Sequence, residues 1–423
     1  MKSKRLILHI GTPKSGSTSI QQSLGKAHDA LKTYNIYYPI IEPSSISPYN
    51  HIFTFIPIFV DTIEDIFWFR RRLQPFEDKD LNVQNYRQAW IKEFNTFEQD
   101  HFIISAEHLV EPYFNEDAVI RIKEFVGPYF DNVTIIAYVR HYDTWIPSRI
   151  QEYIKNGLDS VQKEELREIV EEFLNCPPYM SYQQSLQKWI HVFGRENIVV
   201  RPFDPDVFHE GSLLSDFFHA SGLPVDDIEI PEIRSNESIG KYAVSFVQHY
   251  NQKYPVFVDG SLNKERGLSR EGLPVNVYKN NMDERFNPKL IYSLGQAKRF
   301  NEEIDFVNQF FTDGYQFQHV SPGTGKMNLP GVDDIPIEFF VELANNYNKR
   351  YEFFRNRNGA LQRQNEAFRE QNKTLQDQNT YYQRIMDITG LALFLRVLHR
   401  LPFLRAILHK ITQYEHHKKK LDD

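Results

Sequence analysis

Residues 11–18 read GTPKSGST, a run whose side chains suit an anion: Lys14 supplies charge, and Ser15, Ser17 and Thr18 supply hydroxyl donors. Gly11 and Gly16 permit a tight turn and close backbone approach. The nucleotide loop G-x-x-x-x-G-K-[ST] sets its lysine directly before the last hydroxyl residue. Here Ser17 takes that slot and Lys14 stands three residues earlier. Three readings are open: a damaged nucleotide site, a chance glycine turn, or a loop for another ligand. The setting favours an anion. An apolar run, Arg5–Ile10, precedes the loop, and a helical pattern, Ser17–Ala30, follows it. Backbone amides at such a helix N-terminus point at a ligand, and the helix dipole favours negative charge.

Two further strand-like runs end in chemical groups. FIISA ends at Glu107-His108, which offers two candidate bases. TIIAYV ends at Arg140, with Ser148 eight residues on. A nucleoside triphosphate site needs Mg²⁺, held by the loop hydroxyl and by an acid at a neighbouring strand end. Here TIIAYV runs into a cation, NIVV runs into Arg201, and Glu107 is the one acid at a clear strand end. The metal half of an NTPase is therefore poorly supplied. Taken alone, Arg140 reads as a surface ion pair. His51 lies among aromatics and reads as structural, with contact to substrate as the alternative. No cluster of His, Cys and acids has metal-ligand spacing, so no metal site is expected.

The elements that must position these groups follow from periodicity. Strands are expected at Arg5–Ile10, Tyr34–Ile40, His101–Ala106, Val133–Val139 and Asn197–Arg201. Helices are expected between them, at Val83–Phe97, Asn115–Tyr129, Tyr142–Asn156, Lys163–Leu174, Tyr182–Phe193, Gly211–Ala220 and Ser238–Gln252. Alternation of this kind predicts an α/β fold with three layers around a central parallel sheet. Ligands of such sheets bind at the carboxyl ends of the strands, where the loop, Glu107-His108 and Arg140 all fall. Residues 44–74 are aromatic and irregular, suited to a site mouth. Residues 255–287 read as a loop or lid insertion, and 320–336 as the loop closing the first domain, 1–336.

Composition narrows the function classes. With 423 residues, 41% apolar and 25% charged, the chain is of globular type. A net charge of −7 argues against nucleic acid as a general partner. The one cysteine, Cys176, cannot form an internal disulfide. The six-residue apolar run near the start is too short for a secretory signal, so a cytoplasmic protein is expected.

From residue 337 the chain changes character. A helix is expected over 337–388, and in it Tyr351, Phe354, Asn358, Leu361, Asn365, Phe368, Asn372, Leu375, Asn379, Tyr382 and Met386 keep a four-three spacing. Apolar residues fill d and Asn fills four successive a positions, a coiled-coil register with polar a sites. The flanking positions (Arg355, Arg357, Gln362, Gln364, Arg369, Gln371, Gln376 and Gln378) bring no opposite charges to select a different partner. The expectation is a homodimer through 351–386; a solvated helix, or one packed on its own domain, is the alternative. The tail, 389–423, contains LALFLRVLHRLPFLRAILHKI at Leu391–Ile411, cationic and apolar, divided by Pro402. Short amphipathic helices of this kind lie on a membrane surface, here its inner face, or dock on a partner.

The loop and the Arg140–Ser148 pair together resemble a known family. TPKSGST-SIQ is similar to the 5′-phosphosulfate loop of sulfotransferases, commonly PKSGTT or PKTGTT, which use the donor 3′-phosphoadenylyl sulfate (PAPS). AYVRHYDTWIPSRIQEY matches their second signature, an Arg at a strand end with a Ser eight residues later. The resemblance runs from residue 5 to about 225, where NIVVRPFD…LLSDFFHASGL looks like bacterial members; the long helix and tail lie outside it. It implies a P-loop-type fold and transfer of a sulfonate from PAPS to an acceptor hydroxyl, by analogy on a carbohydrate or glycan. It implies that Pro13, Lys14, Ser15, Gly16, Ser17 and Thr18 hold the 5′ end, with Lys14 at the bridging oxygen. Arg140 and Ser148 would hold the 3′-phosphate. Family members use Glu or His as base, so Glu107 is favoured and His108 is second. A kinase using Mg²⁺-ATP and a non-catalytic coiled-coil scaffold are the competing readings.

Overall fold

Arg5–Gly11 (β1) is apolar on both faces, and it lies at the middle of a five-stranded sheet. Leu6, Leu8 and Ile10 enter one core and Ile7 another, all four fully buried. This comes from the computed structural model, which describes residues 3–41, 49–61, 79–158, 165–175, 181–223, 230, 232–233, 239–259, 261–263 and 284–388, less positions 313, 326 and 332. The expected features at Ser44–Gln74 and Pro255–Asn287 lie largely outside these residues, and Cys176 and the tail Leu391–Ile411 lie wholly outside them.

Ile36–Tyr37 (β2), His101–Ser105 (β3), Asn132–Val139 (β4) and Ile198–Pro202 (β5) complete the sheet in the order β2-β3-β1-β4-β5, all parallel. β1 pairs Arg5 with His101 on one side and with Asn132 on the other. The chain steps to the β3 side of β1 and then crosses to the β4 side, which makes the end of β1 a topological switch point. The expected strand Tyr34–Ile40 shrinks to two residues. Only Ile36 and Tyr37 pair with β3, Pro39 has no amide to add to a ladder, and Tyr38 turns its hydroxyl to the Tyr49 carbonyl at 2.6 Å.

Helices at Ser17–Lys26 (α1), Lys79–Thr96 (α2), Glu116–Val126 (α3), Tyr142–Asn156 (α4), Leu166–Asn175 (α5), Tyr182–Phe193 (α6), Leu213–Ser221 (α7), Lys241–Lys253 (α8) and Leu294–Asn308 (α9) make the outer layers. α1 and α7 cover one face through Ile20, Leu24, Leu213 and Phe217; the others build the larger core on the opposite face, around Trp90, Ile122, Ile150 and Trp189. α4 stops where the sequence places its stop, at Gly157, whose φ of 68° suits glycine.

A 52-residue helix, Ile337–Ile388 (α10), follows. The chain divides into two compact units, Met1–Leu343 and Ala344–Asp423. The first turns of α10 belong to the first unit, since Phe339 is buried against Phe246. In the second unit Leu361, Phe368 and Leu375, one heptad apart, are 49%, 54% and 54% exposed. Among the described residues no helix is long and apolar enough to cross a membrane.

Two histidines are fully buried beside β3. His51 Nδ1 accepts from the Ser105 amide at 3.1 Å, so its Nε2 carries the proton and donates to the Pro39 carbonyl at 3.0 Å. His9 Nδ1 meets Ser105 Oγ at 2.7 Å. His51 is thus a buried, fully hydrogen-bonded residue that does not line the cavity described below. Burial pushes His9 down to about 3 and His51 down to about 4. An unfolded chain takes up both protons near pH 6.5 while the folded one does not, so stability falls as pH drops from there toward 3–4. Denaturant unfolding at a series of pH values should show a loss approaching about 1.4 kcal/mol per pH unit for each histidine. A His51→Gln variant should be less stable at pH 7.5 yet fall less steeply.

Candidate active site

The turn from β1 into α1 is tied down before it can reach a ligand. Thr12 donates twice to the Tyr138 carbonyl on β4, from its amide and its hydroxyl, each at 2.8 Å. Ser15 bonds Thr12 through their hydroxyls at 2.9 Å, and Trp145 Nε1 on α4 donates to the Pro13 carbonyl at 3.0 Å. Gly11, at φ 117°, passes so close under Glu107 that a Cβ would lie 2.4 Å from the Glu107 carbonyl oxygen. Gly16 caps α1 at φ 79°, where a Cβ would collide with Leu213 and Phe203. Lys14 also takes a left-handed backbone, φ 67°, a cost of about 1–2 kcal/mol for a side chain with a Cβ. Among the described residues no backbone carbonyl takes the amides of Lys14, Gly16 or Ser17. Adjacent unclaimed amides at a helix N-terminus form an anion cradle.

That cradle opens into a cavity of about 330 Å³ lined by Lys14, Gly16, Ser17, Thr18, Glu107, Arg140 and Ser148. Seven residues named from sequence therefore meet in one space. Pro13 and Ser15 do not line it; they are buried and fix the loop. His108 does not line it either: its Nδ1 lies 3.4 Å from Glu111, behind Glu107.

Arg140 stands at the carboxyl end of β4. Tyr182 clamps its backbone, accepting from the Arg140 amide at 3.2 Å and donating to its carbonyl at 2.6 Å. The guanidinium donates to Thr144 Oγ1 at 2.9 Å and to the Lys14 carbonyl at 3.4 Å, and lies 5.6 Å from the Phe203 ring centroid. Among the described residues no carboxylate pairs with it. The other strand-end arginine, Arg201, is spent on the buried Asp216, which Tyr138 also bonds. So the two arginines part company: Arg201 is structural, and Arg140 keeps donor capacity facing the cavity. Ser148 lies two turns along α4, which begins with His141 accepting from the Asp143 amide.

Burial, with Glu152 adding to it, raises the Glu107 carboxyl above the usual carboxylate range; His108, Ser17 and Lys14 only partly oppose this. A raised carboxyl at a cavity wall suits a proton acceptor. Behind it lies a buried ion network. Arg149 is bonded to Glu111 and, at 2.7 Å, to Glu152. Burial would push Glu111 up, but Arg149 and His108 bring it down to about 2. Lys188 on α6 donates to the Val110, Glu111 and Phe114 carbonyls and fixes the segment after Glu107. Arg149 is fully buried and does not line the cavity.

Sequence reasoning missed Glu152, Phe203 and Phe208, which also line the cavity. Glu152 could have been found from its spacing, four residues after Ser148 on one helix face. Phe203 follows β5 directly, at the same carboxyl edge as the other groups. Phe208 carried no signal of its own.

No family model matches the chain. A protein of Archaeoglobus fulgidus described only as uncharacterized is 22% identical over 268 residues, covering 61% of this chain and 67% of that one. A crystal structure of a sulfotransferase from Alicyclobacillus acidocaldarius aligns with 56% of this chain and 87% of its own, at 15% identity and a TM-score of 0.31.

The Glu111–Arg149 pair makes a stability test. Glu111→Gln leaves a buried guanidinium half compensated, so urea unfolding at pH 7 should show a loss of about 3–5 kcal/mol. Replacing both residues, as Glu111→Gln with Arg149→Met, should recover much of it. A single variant as stable as the parent would refute the network's role.

Proposed function

We propose that this chain is a sulfotransferase that moves the sulfonate group of PAPS to an acceptor hydroxyl. The observation that carries the reading is the convergence of Lys14, Ser17, Thr18, Glu107, Arg140 and Ser148 on one cavity, from separate parts of the sequence. PAPS, as the donor substrate, supplies an activated sulfonate on its 5′-phosphate. The unclaimed loop amides, with Ser17 and Thr18, suit the 5′ end of that molecule. Lys14 offsets the negative charge that grows on the leaving oxygen, where electrostatic help counts most. Arg140 offers a planar donor fork to the 3′-phosphate and Ser148 a hydroxyl. Glu107 takes the acceptor proton, with His108 supporting from behind. A hydroxyl on a carbohydrate or glycan is the proposed acceptor, by the family resemblance. A Mg²⁺-ATP kinase remains less well served, since the cation Arg140 stands where a metal-holding acid would be.

The long helix is proposed to pair with a second copy in parallel. Self-pairing buries Leu361, Phe368 and Leu375 and aligns Asn with Asn at the a positions, where each carboxamide can bond its twin. Parallel g-to-e′ neighbours would be Arg357 with Gln362 and Gln364 with Arg369, so no like charges meet. A cytoplasmic location, with 391–411 resting on a membrane surface, completes the proposal.

Thermal shift separates the catalytic readings. Adenosine 3′,5′-bisphosphate at about 100 times its Kd should add roughly 2.7 kcal/mol of stability. Arg140→Ala should abolish that shift. Glu107→Gln should keep it while lowering sulfonate transfer by about 10²–10⁴-fold. A larger shift with Mg²⁺-ATP would refute the sulfotransferase reading, no shift with either nucleotide would favour the scaffold, and full turnover in Glu107→Gln would pass the base role to His108. For the pairing, light scattering on the full chain should give twice the 50.1 kDa of one copy. Lysine at 361, 368 and 375 together should return it to one copy. A parent chain that is already monomeric would end the proposal.

A further inference from the structure

The cavity has a second wall, which the transfer chemistry does not use. Phe203 and Phe208 follow β5, with ring centroids 5.5 Å apart and planes at 61°, and Leu213 opens α7 on the same wall. In the sheet, β3 and β5 flank the β1–β4 pair from opposite sides, so this wall lies across the loop from Glu107. It adjoins Arg140, whose guanidinium is 5.6 Å from the Phe203 ring centroid. A donor with its 5′ end in the loop and its 3′-phosphate at Arg140 leaves its base for the β5 side, against two half-buried rings. Aromatic rings stack on any base and do not tell one from another.

An acid belongs to that wall. Glu232 lines the cavity, and its Oε2 accepts from Ser212 Oγ, the N-cap of α7, at 2.5 Å. The next residue is tied to α1, where the Ile233 amide donates to Ser23 Oγ at 2.9 Å. Ser23 lies about 10 Å along α1 from Gly16, so this anchor is beyond the phosphate end of the loop. A carboxylate accepts hydrogen bonds and donates none. It repels phosphates, so its fit to this ligand depends on an N–H or O–H that the ligand brings. The nucleoside part of PAPS has two such groups, the ribose 2′-hydroxyl and the exocyclic amine of adenine. The apolar, aromatic wall beside Glu232 suits the base. We propose that Glu232 is a specificity-determining residue: its carboxylate accepts from the exocyclic amine of the base and so selects against a base with a carbonyl oxygen at that place. The proposal rests on the donor-binding reading above.

The test is calorimetric titration of the full-length protein with the 3′,5′-bisphosphates of adenosine, inosine and 2′-deoxyadenosine. Inosine carries a carbonyl oxygen where adenosine carries the amine. The parent should bind the adenosine form roughly 10- to 100-fold more tightly than the inosine form, the range of one hydrogen bond to a charged group. It should bind the 2′-deoxy form nearly as well as the adenosine form. In Glu232→Gln, whose carboxamide both donates and accepts, the preference for adenosine over inosine should largely disappear. Equal binding of the adenosine and inosine forms by the parent overturns the proposal, whether or not the variant folds. So does a preference that survives in Glu232→Gln. A loss confined to the 2′-deoxy form also overturns it, since Glu232 would then read the sugar. In each of these cases, binding that Arg140→Ala abolishes leaves the donor reading standing. Failure of the parent to bind any of the three sinks the donor reading, and this proposal with it.

Discussion

Two hydrogen bonds from Thr12 to the Tyr138 carbonyl join the end of β1 to β4, and the site is arranged around that join. They bring the Lys14 carbonyl within reach of the Arg140 guanidinium and the Pro13 carbonyl within reach of Trp145. The loop cannot then turn its amides back to the sheet. The amides of Lys14, Gly16 and Ser17, residues that line the cavity, find no backbone carbonyl among the described residues. A buried backbone donor without a partner costs free energy, so the arrangement is most stable with an anion or solvent against it.

Charge around the cavity is graded by burial. Arg149, Glu111 and Glu152 form the inner network, where the low dielectric makes each pairing strong and each broken pairing costly. Glu107 lies at its edge, and burial together with Glu152 raises its carboxyl above the usual carboxylate range. Lys14 and Arg140 are half-buried and complete the rim. Two carboxylates in one site thus acquire different proton affinities without any difference in chemistry. The difference comes from how many cations each one meets.

The aromatic residues serve both the core and the cavity. Phe94, Phe97 and Phe130 pack edge to face on Phe102 of β3, and Trp90 lies tilted against it. Phe203, at the end of β5, closes the cavity beside Arg140 and also leaves no room for a side chain at position 16. A substitution at Gly16 would therefore disturb backbone, packing and cavity together.

Sequence alone determined the order of strands and helices, because apolar runs buried on both faces and helical spacing are local properties. It also placed the loop, Glu107, Arg140 and Ser148 at strand ends and along one helix, and the parallel α/β pattern sends such ends to one edge. It overestimated β2, since pairing depends on a neighbour and Pro39 denies one. It set Arg140 apart from Arg201 through Ser148 eight residues on, but the partner of Arg201 stayed hidden, since only the packing of α7 brings Asp216 to it. Nor could it set Glu107 apart from His108, adjacent residues of similar chemistry, since only the three-dimensional turn after β3 directs one to the cavity and the other to Glu111. Glu152 and Phe203 became visible the same way. What a residue type can do is written in its side chain, but which charges surround it is decided by segments distant in sequence, and those meet only when the chain folds.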